Sequence, residues 1–277
     1  MPSLTSRARV LVRRARFTLV SWWTLVPLMR SARSTGLTEI WVGDSHAMCF
    51  NGPRTPARVS RCDDGQFVLY LGPRLMFSLA RDGFPFWTRA LARMIGVIAP
   101  RGSVLFAFCA GEIDVRCHLV PRSHRHDDVL TFVDPYLERC AALASSAGTG
   151  TALVVTPPPP SITCPVQPEF PVNGTIGERV DMRNRLVDRL RQGVGHVETL
   201  TFSVIDPGLA LSDADGGLDA AYTDDGCHTN AAGVLVTRRI LSQRTGIGSA
   251  DDRPRPDPTA RARTGRPTDS QSPSTSR

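Results

Sequence analysis

The stretch Ile40-Trp41-Val42-Gly43-Asp44-Ser45-His46 is an apolar run that ends in a glycine, a carboxylate, a serine and a histidine. A strand running into a tight turn would hold that serine at its tip. The hydroxyl would then stand at the carboxyl end of a strand and the N–H near a helix start, both useful for acyl chemistry. Gly43-Asp44-Ser45 is short and recurs by chance, so it needs partners elsewhere in the chain. Tyr222-Thr-Asp-Asp225-Gly-Cys-His228-Thr-Asn230 offers them. An Asp three residues before a His, on a turn, can set a carboxylate against Nδ1. One tautomer is then fixed, and Nε2 is left to take a proton from a serine hydroxyl. The competing reading is a helix N-cap region that happens to contain Asp and His.

For these groups to meet, the chain between them must return to one edge. Apolar patterning predicts strands over Glu39–Gly43, Gln66–Leu71, Ser103–Cys109, Ala152–Val155 and Val197–Phe202. The run Ser103–Cys109 is continuously apolar, as in a strand buried on both faces of a parallel sheet. Helical periodicity covers Phe84 to Ile98, closing before Pro100, then Val129–Ala147, Glu178–Gln192 and Asn230–Arg244, the last capped by Thr229 or Asn230. Strands alternating with helices predict a doubly wound α/β protein, with the site outside the carboxyl ends of the strands. Ser45, Gly72, Gly111 and the segment after the fifth strand all fall on that rim. The Pro-rich stretch Thr156–Gly177 is too long for a simple connector and suits a substrate wall.

In order along the chain, Gly43-Asp44-Ser45, Gly72, Gly111-Glu112-Ile113-Asp114 and Asp225-Gly-Cys-His228 resemble the four blocks of the SGNH/GDSL hydrolase superfamily. The first and last match well, and Gly72 matches by position alone. The resemblance runs from about Glu39 to Arg244. It implies a flavodoxin-like three-layer α/β/α fold with a five-stranded parallel sheet, and no cofactor or metal. It also implies a serine esterase or O-acyltransferase acting on small acyl esters, for example O-acetyl groups of carbohydrates. Carried over, Ser45 is the nucleophile, His228 the base and Asp225 its orienter, with the N–H groups of Ser45 and Gly72 facing the oxyanion. The third block departs from the family's Gly-x-Asn-Asp, because Ile113 stands where an Asn amide would donate. The string Gly-Glu-Ile-Asp-x-Arg resembles a divergent subgroup. In it Glu112 and Arg116 form an ion pair at the rim, Arg116 supplies the missing positive charge, or Glu112, Asp114 and Arg116 only brace the loop. His46 and Gly111 are further rim candidates. Two alternatives stand beside an esterase: a non-catalytic glycan-binding module, motivated by Ile113, and a membrane-surface lysolipid esterase.

The last alternative comes from the chain ends. Residues 1–33 hold seven Arg and no acid, and the whole sequence has no lysine. A basic front precedes a mostly apolar stretch, Phe17 to Met29, that is too short to span a bilayer. It predicts a helix packed on the domain or lying at an interface, with weak membrane-surface contact through residues 7–33 or export as alternatives. The tail from Gly248 is rich in Pro, Arg, Ser, Thr and Asp and is predicted to be disordered. The body, residues 34–247, is then slightly acidic, which argues against a nucleic-acid footprint. Seven Cys at 49, 62, 109, 117, 140, 164 and 227, with no CxxC, suggest a reduced, cytoplasmic chain without a disulfide framework. Cys117-His118 with His124 and His126 is the nearest approach to metal-ligand spacing, and reads better as a solvated loop.

Overall fold

The computed structural model describes residues 21–49, 57–63, 65–125, 128–164, 170–197 and 199–245. The predicted disordered tail, residues 1–20 and His126 lie outside them. Six strands form one sheet: β1 (Thr38–Gly43), β2 (Val59–Asp63), β3 (Gln66–Tyr70), β4 (Val104–Cys109), β5 (Thr151–Val155) and β6 (Thr201–Ile205), in the order β2-β3-β1-β4-β5-β6. All neighbours are parallel except β2, which pairs antiparallel with β3. The five parallel strands alone have the flavodoxin-type order, with the first strand flanked by the second and third.

The helices are α1 (residues 21–33), α2 (Ser45–Cys49), α3 (Met76–Asp82), α4 (Phe86–Ile98), α5 (Val120–Ser123), α6 (Val133–Ser146), α7 (Ile176–Gly193), α8 (Gly208–Leu211) and α9 (Ala231–Thr245). A π-helical turn, Asp114–Leu119, runs straight into α5. Side chains alternate across each strand, so the sheet separates two cores. Ile40, Val42, Phe67, Leu69, Phe106 and Phe108 face one side, under α1, α3, α4, α6 and α7. Trp41, Val68, Leu105, Ala107 and Leu153 face the other, under α2, α8 and α9. Every residue of β4 is buried. Each large side chain removed from water there is worth about 2–3 kcal/mol.

Three expectations change. The sheet has six strands and not five, because the short segment Val59–Asp63 folds back on β3 as an edge strand. The last strand starts four residues later and ends three later than expected, over Thr201–Ile205, where pairing with β5 aligns Thr201 with Thr151 and Ile205 with Val155. Helix α3 was not anticipated. Its N-cap Leu75 has no capping side chain, and the acceptor for its first N–H groups arrives from Asp114, far along the chain.

Helix α1 packs on the domain. Leu28 and Ala32 belong to its core, and the Ser21 hydroxyl accepts from the Arg58 N–H at 3.0 Å. The boundary expected at residue 34 therefore falls just past a helix that shares the core. Trp22 and Trp23, on the outer face of α1, are 66% and 78% exposed. Among the described residues, no helix is long and apolar enough to cross a membrane.

Candidate active site

The sheet brings the chemistry-bearing segments to one edge, beginning with Gly43. A Cβ at Gly43 would lie 1.9 Å from the Cys109 carbonyl oxygen, so only glycine lets the ends of β1 and β4 approach this closely. The Leu71 N–H donates to the Gly43 carbonyl at 2.8 Å, which ties the end of β3 to the same point. Gly72 follows with φ +80, in the left-handed region that favours glycine. Ser45, Gly72 and Gly111 thus leave three neighbouring strands at one rim.

Ser45 opens α2. Asp44 is buried, and its Oδ1 accepts the His46 N–H at 2.9 Å, which fixes the turn from β1 into α2. From the far end of the chain, the loop before α9 reaches back over this rim. Asn230 caps α9, its Oδ1 accepting from the N–H groups of Ala232 and Gly233 at 3.1 and 3.2 Å. That end fixed, His228 Nε2 lies 2.9 Å from Ser45 Oγ. Its Nδ1 lies 2.6 Å from Asp225 Oδ2. Asp225 Oδ1 accepts from the N–H groups of Cys227 and His228 at 2.8 and 2.7 Å. Burial pushes the Asp225 carboxyl up, but the His228 ring and these two N–H groups outweigh it and hold the acid at about 2. Gly226 has φ +71, and a Cβ there would lie 2.4 Å from Thr163 Oγ1. The absence of a side chain lets the loop close against the Pro-rich segment.

That segment is held from behind by α7. Thr175 and Glu178 form a capping box at its start, with Thr175 N–H donating to Glu178 Oε2 at 2.7 Å and Glu178 N–H donating to Thr175 Oγ1 at 3.2 Å. From this helix the buried Arg183 donates to the Pro157 carbonyl at 3.0 Å and to Asp206 Oδ1 at 2.5 Å, and the buried Arg179 donates to the Ser161 carbonyl at 3.0 Å. Two guanidinium groups thereby pin the wall. A narrow cleft of ≈ 10 Å³, room for about one water, lies between Pro158–Ser161, Cys164, Arg179, Glu112, Arg116 and Cys227.

The third block divides in two. Asp114 turns inward and caps α3, its Oδ2 accepting from the Met76 N–H at 2.7 Å and its Oδ1 from the Phe77 N–H at 3.2 Å. Burial pushes it up to about 6, against the pull of those two N–H groups. Gly111, at φ +111, packs beside Met76 and Leu186. Ile113 is buried. Glu112 instead faces the triad side. Arg116 Nε lies 2.7 Å from Glu112 Oε1, and His46 Nε2 lies 3.4 Å from Glu112 Oε2. Burial lowers the His46 pKa, yet the adjoining Glu112 and Asp44 carboxylates more than reverse this and leave it raised. Burial likewise raises Glu112, but His46 and Arg116 hold it below the usual range. With its guanidinium engaged by Glu112 and by the Phe170 carbonyl at 3.5 Å, Arg116 is neutralised locally. The His46 ring stacks obliquely on His228, with centroids 4.9 Å apart.

Sequence reasoning missed the neighbours of Cys227. Its Sγ lies within 4.8 Å of the Cys164 Sγ, and the proximity favours ionisation of Cys164 and opposes that of Cys227. Only the Gly226 turn hints at the pairing. Among the described residues, Cys117, His118 and His124 form no ligand cluster; His124 pairs instead with Glu178 at 3.2 Å.

No protein-family model matches the sequence, and no curated protein does. Solved structures are similar. A GDSL-like lipase from Bacteroides thetaiotaomicron aligns with a TM-score of 0.50 at 12% identity, over 83% of this chain and 97% of that one. An acetylxylan esterase from Geobacillus stearothermophilus, as a catalytic mutant, gives 0.45 at 16%, over 78% and 96%. A carbohydrate acetylesterase from Sinorhizobium meliloti gives 0.43 at 16%, over 76% and 98%. At such identities the similarity shows the fold alone, and the chain has the three-layer α/β fold of the GDSL-like lipase.

Proposed function

We propose that the chain is a serine esterase that cleaves small acyl esters through Ser45, with His228 as base and Asp225 as its orienter. The observation that carries this reading is the unbroken contact from Ser45 Oγ to His228 Nε2 at 2.9 Å and from His228 Nδ1 to Asp225 at 2.6 Å. His228 Nε2 takes the Ser45 proton as Oγ attacks the ester carbonyl carbon. The C=O π bond opens to an oxyanion, and the N–H groups of Ser45 and Gly72 are its proposed donors. Each such donor is worth about 3–4 kcal/mol in acyl-transfer sites. As the carbonyl re-forms, the ester C–O bond breaks and His228 returns the proton to the departing alkoxide. Water then repeats the sequence on the acyl-enzyme and releases the acid. Ile113 adds no third donor, so the reaction relies on backbone groups alone in that quadrant.

Small acyl esters, O-acetylated carbohydrates among them, are the substrate class to test first. An acceptor hydroxyl in place of water would make the same site an O-acyltransferase. The test is turnover of p-nitrophenyl acetate together with labelling by a fluorophosphonate probe. Ser45→Ala should lower kcat/KM by on the order of 10³-fold or more, and the label should map to Ser45. A folded protein that binds a saccharide but takes no label would instead be a glycan-binding module.

A second reading follows from Trp22 and Trp23, which stand exposed on α1, and from the five arginines that precede them in the sequence between residues 7 and 16. Indole rings and arginines in one segment suit an anionic lipid surface, and a lysolipid would then be the ester. Co-sedimentation with anionic vesicles, compared with Trp22→Ser/Trp23→Ser, tests it. Equal binding by both proteins would end this reading.

A further inference from the structure

We propose that His46, Cys227 and His228 form a binding site for a thiophilic divalent cation of the Zn²⁺ class, and that the cation silences the esterase by occupying its base. The inhibitory half rests on the function proposed above; the binding half does not.

Three observations converge. One ligand atom from each of His46, Cys227 and His228 lies within 4.8 Å of the others, and Glu112, Cys164 and Cys227 form a second such group that shares Cys227. His46 is 1% exposed; its Nε2 faces Glu112 Oε2 at 3.4 Å, and its Nδ1 has no hydrogen bond among the described residues. A buried ring nitrogen without a partner is unusual unless something else takes it up. Each imidazole also has a carboxylate beyond it, Asp225 at 2.6 Å from His228 Nδ1 and Glu112 at 3.4 Å from His46 Nε2. A carboxylate behind the ring is the arrangement that orients a histidine and raises its basicity toward a metal.

The donor set selects the ion. Imidazole nitrogen and thiolate sulfur suit Zn²⁺ and Co²⁺ and do not suit Mg²⁺ or Ca²⁺. A tetrahedral centre with bonds of about 2.0–2.3 Å places its ligand atoms about 3.3–3.8 Å apart, so closing the cluster takes shifts of roughly 1–1.5 Å. Cys164, whose Sγ lies within 4.8 Å of that of Cys227, is the candidate fourth ligand. On binding, the Cys227 thiol releases its proton to solvent and the thiolate forms the metal–sulfur bond. At the same time His228 Nε2 gives its lone pair to the metal. It can then no longer accept the Ser45 proton across the present 2.9 Å contact.

The experiment uses the full chain, kept reduced, and titrates Co²⁺ as the spectroscopic probe. The expected result is a thiolate-to-cobalt charge-transfer band that saturates at one Co²⁺ per chain and is bleached by Zn²⁺. Cys227→Ser should lose the band, and His46→Ala should weaken binding at least tenfold. Cys62→Ser, on the edge strand, should behave as the parent. A parent protein with no such band, or a Cys227→Ser protein that keeps it, overturns the site whether or not any ester is hydrolysed. If an esterase activity is found, Zn²⁺ should abolish it and a chelator restore it; full activity with the metal bound would overturn the inhibitory role.

Discussion

Asp114→Asn separates a structural acid from a substrate-facing one. The Asp114 carboxylate is 1% exposed and accepts the Met76 and Phe77 N–H groups at the start of α3. Burial, opposed by those two donors and aided by the nearby Asp44, raises its pKa from 3.8 to about 6. Between these values the folded chain holds a proton that the unfolded chain has released. Stability from this group is therefore complete below pH 3.8 and declines as pH rises through 6. A shift of about two units corresponds to roughly 3 kcal/mol across that window. Asn has the same shape, keeps one carbonyl acceptor for the helix and cannot ionise. At pH 4 the variant should match the parent or be slightly weaker, because it offers one acceptor oxygen. At pH 7 the comparison should move in the variant's favour by about 2–3 kcal/mol. Urea unfolding of both proteins at pH 4, 5, 6 and 7 measures the difference, and shared titrations cancel in the subtraction. Ester turnover by the variant should stay within a few-fold. A stability difference that is flat with pH, or one that moves the other way, refutes the raised pKa. A loss of turnover with unchanged stability would return Asp114 to the rim.

Asp225→Asn should keep the fold and lower kcat by on the order of 10³–10⁴-fold with KM little changed, because His228 loses its preferred tautomer; steady-state kinetics check this. Gly43→Ala forces a Cβ to 1.9 Å from the Cys109 carbonyl, so it should cost more than about 4 kcal/mol. A soluble variant with a parent-like melting temperature would contradict that close approach. Arg116→Ala leaves the Glu112 carboxylate largely buried with His46 as its remaining partner. A loss near the low end of about 3–5 kcal/mol is expected in urea unfolding.

The parts of this protein written in its sequence are those set by local pattern. The apolar run Ser103–Cys109 reads as a doubly buried strand, and Val104–Cys109 is one. The amphipathic spacing of α4, α6, α7 and α9 placed those helices within a few residues of where they lie. The capping box Thr175-x-x-Glu178 was equally legible, and reading it would have moved the start of α7 back to Ile176. Asp225 and His228 could be paired from the sequence because three residues on a turn fix their distance. What the sequence left open depends on contacts between distant segments. Val59–Asp63 has only a weak alternation, and it is a strand because β3 offers it an edge. The apolar pattern near residue 200 fits two frames, and pairing with β5 selects one. Helix α3 has its cap 38 residues away. The role of the third block is likewise tertiary: sequence order put Glu112, Asp114 and Arg116 in one loop, while the fold sends Asp114 inward to a helix and Glu112 toward His46. The same holds for the thiols, since no spacing relates Cys164 to Cys227. They meet because Gly226 lets two loops touch. The sequence supplied the types of the reacting groups and the one short-range pair among them. The tertiary fold decided that Ser45, at the end of β1, and His228, in the loop that reaches back before α9, would stand 2.9 Å from each other although 183 residues apart.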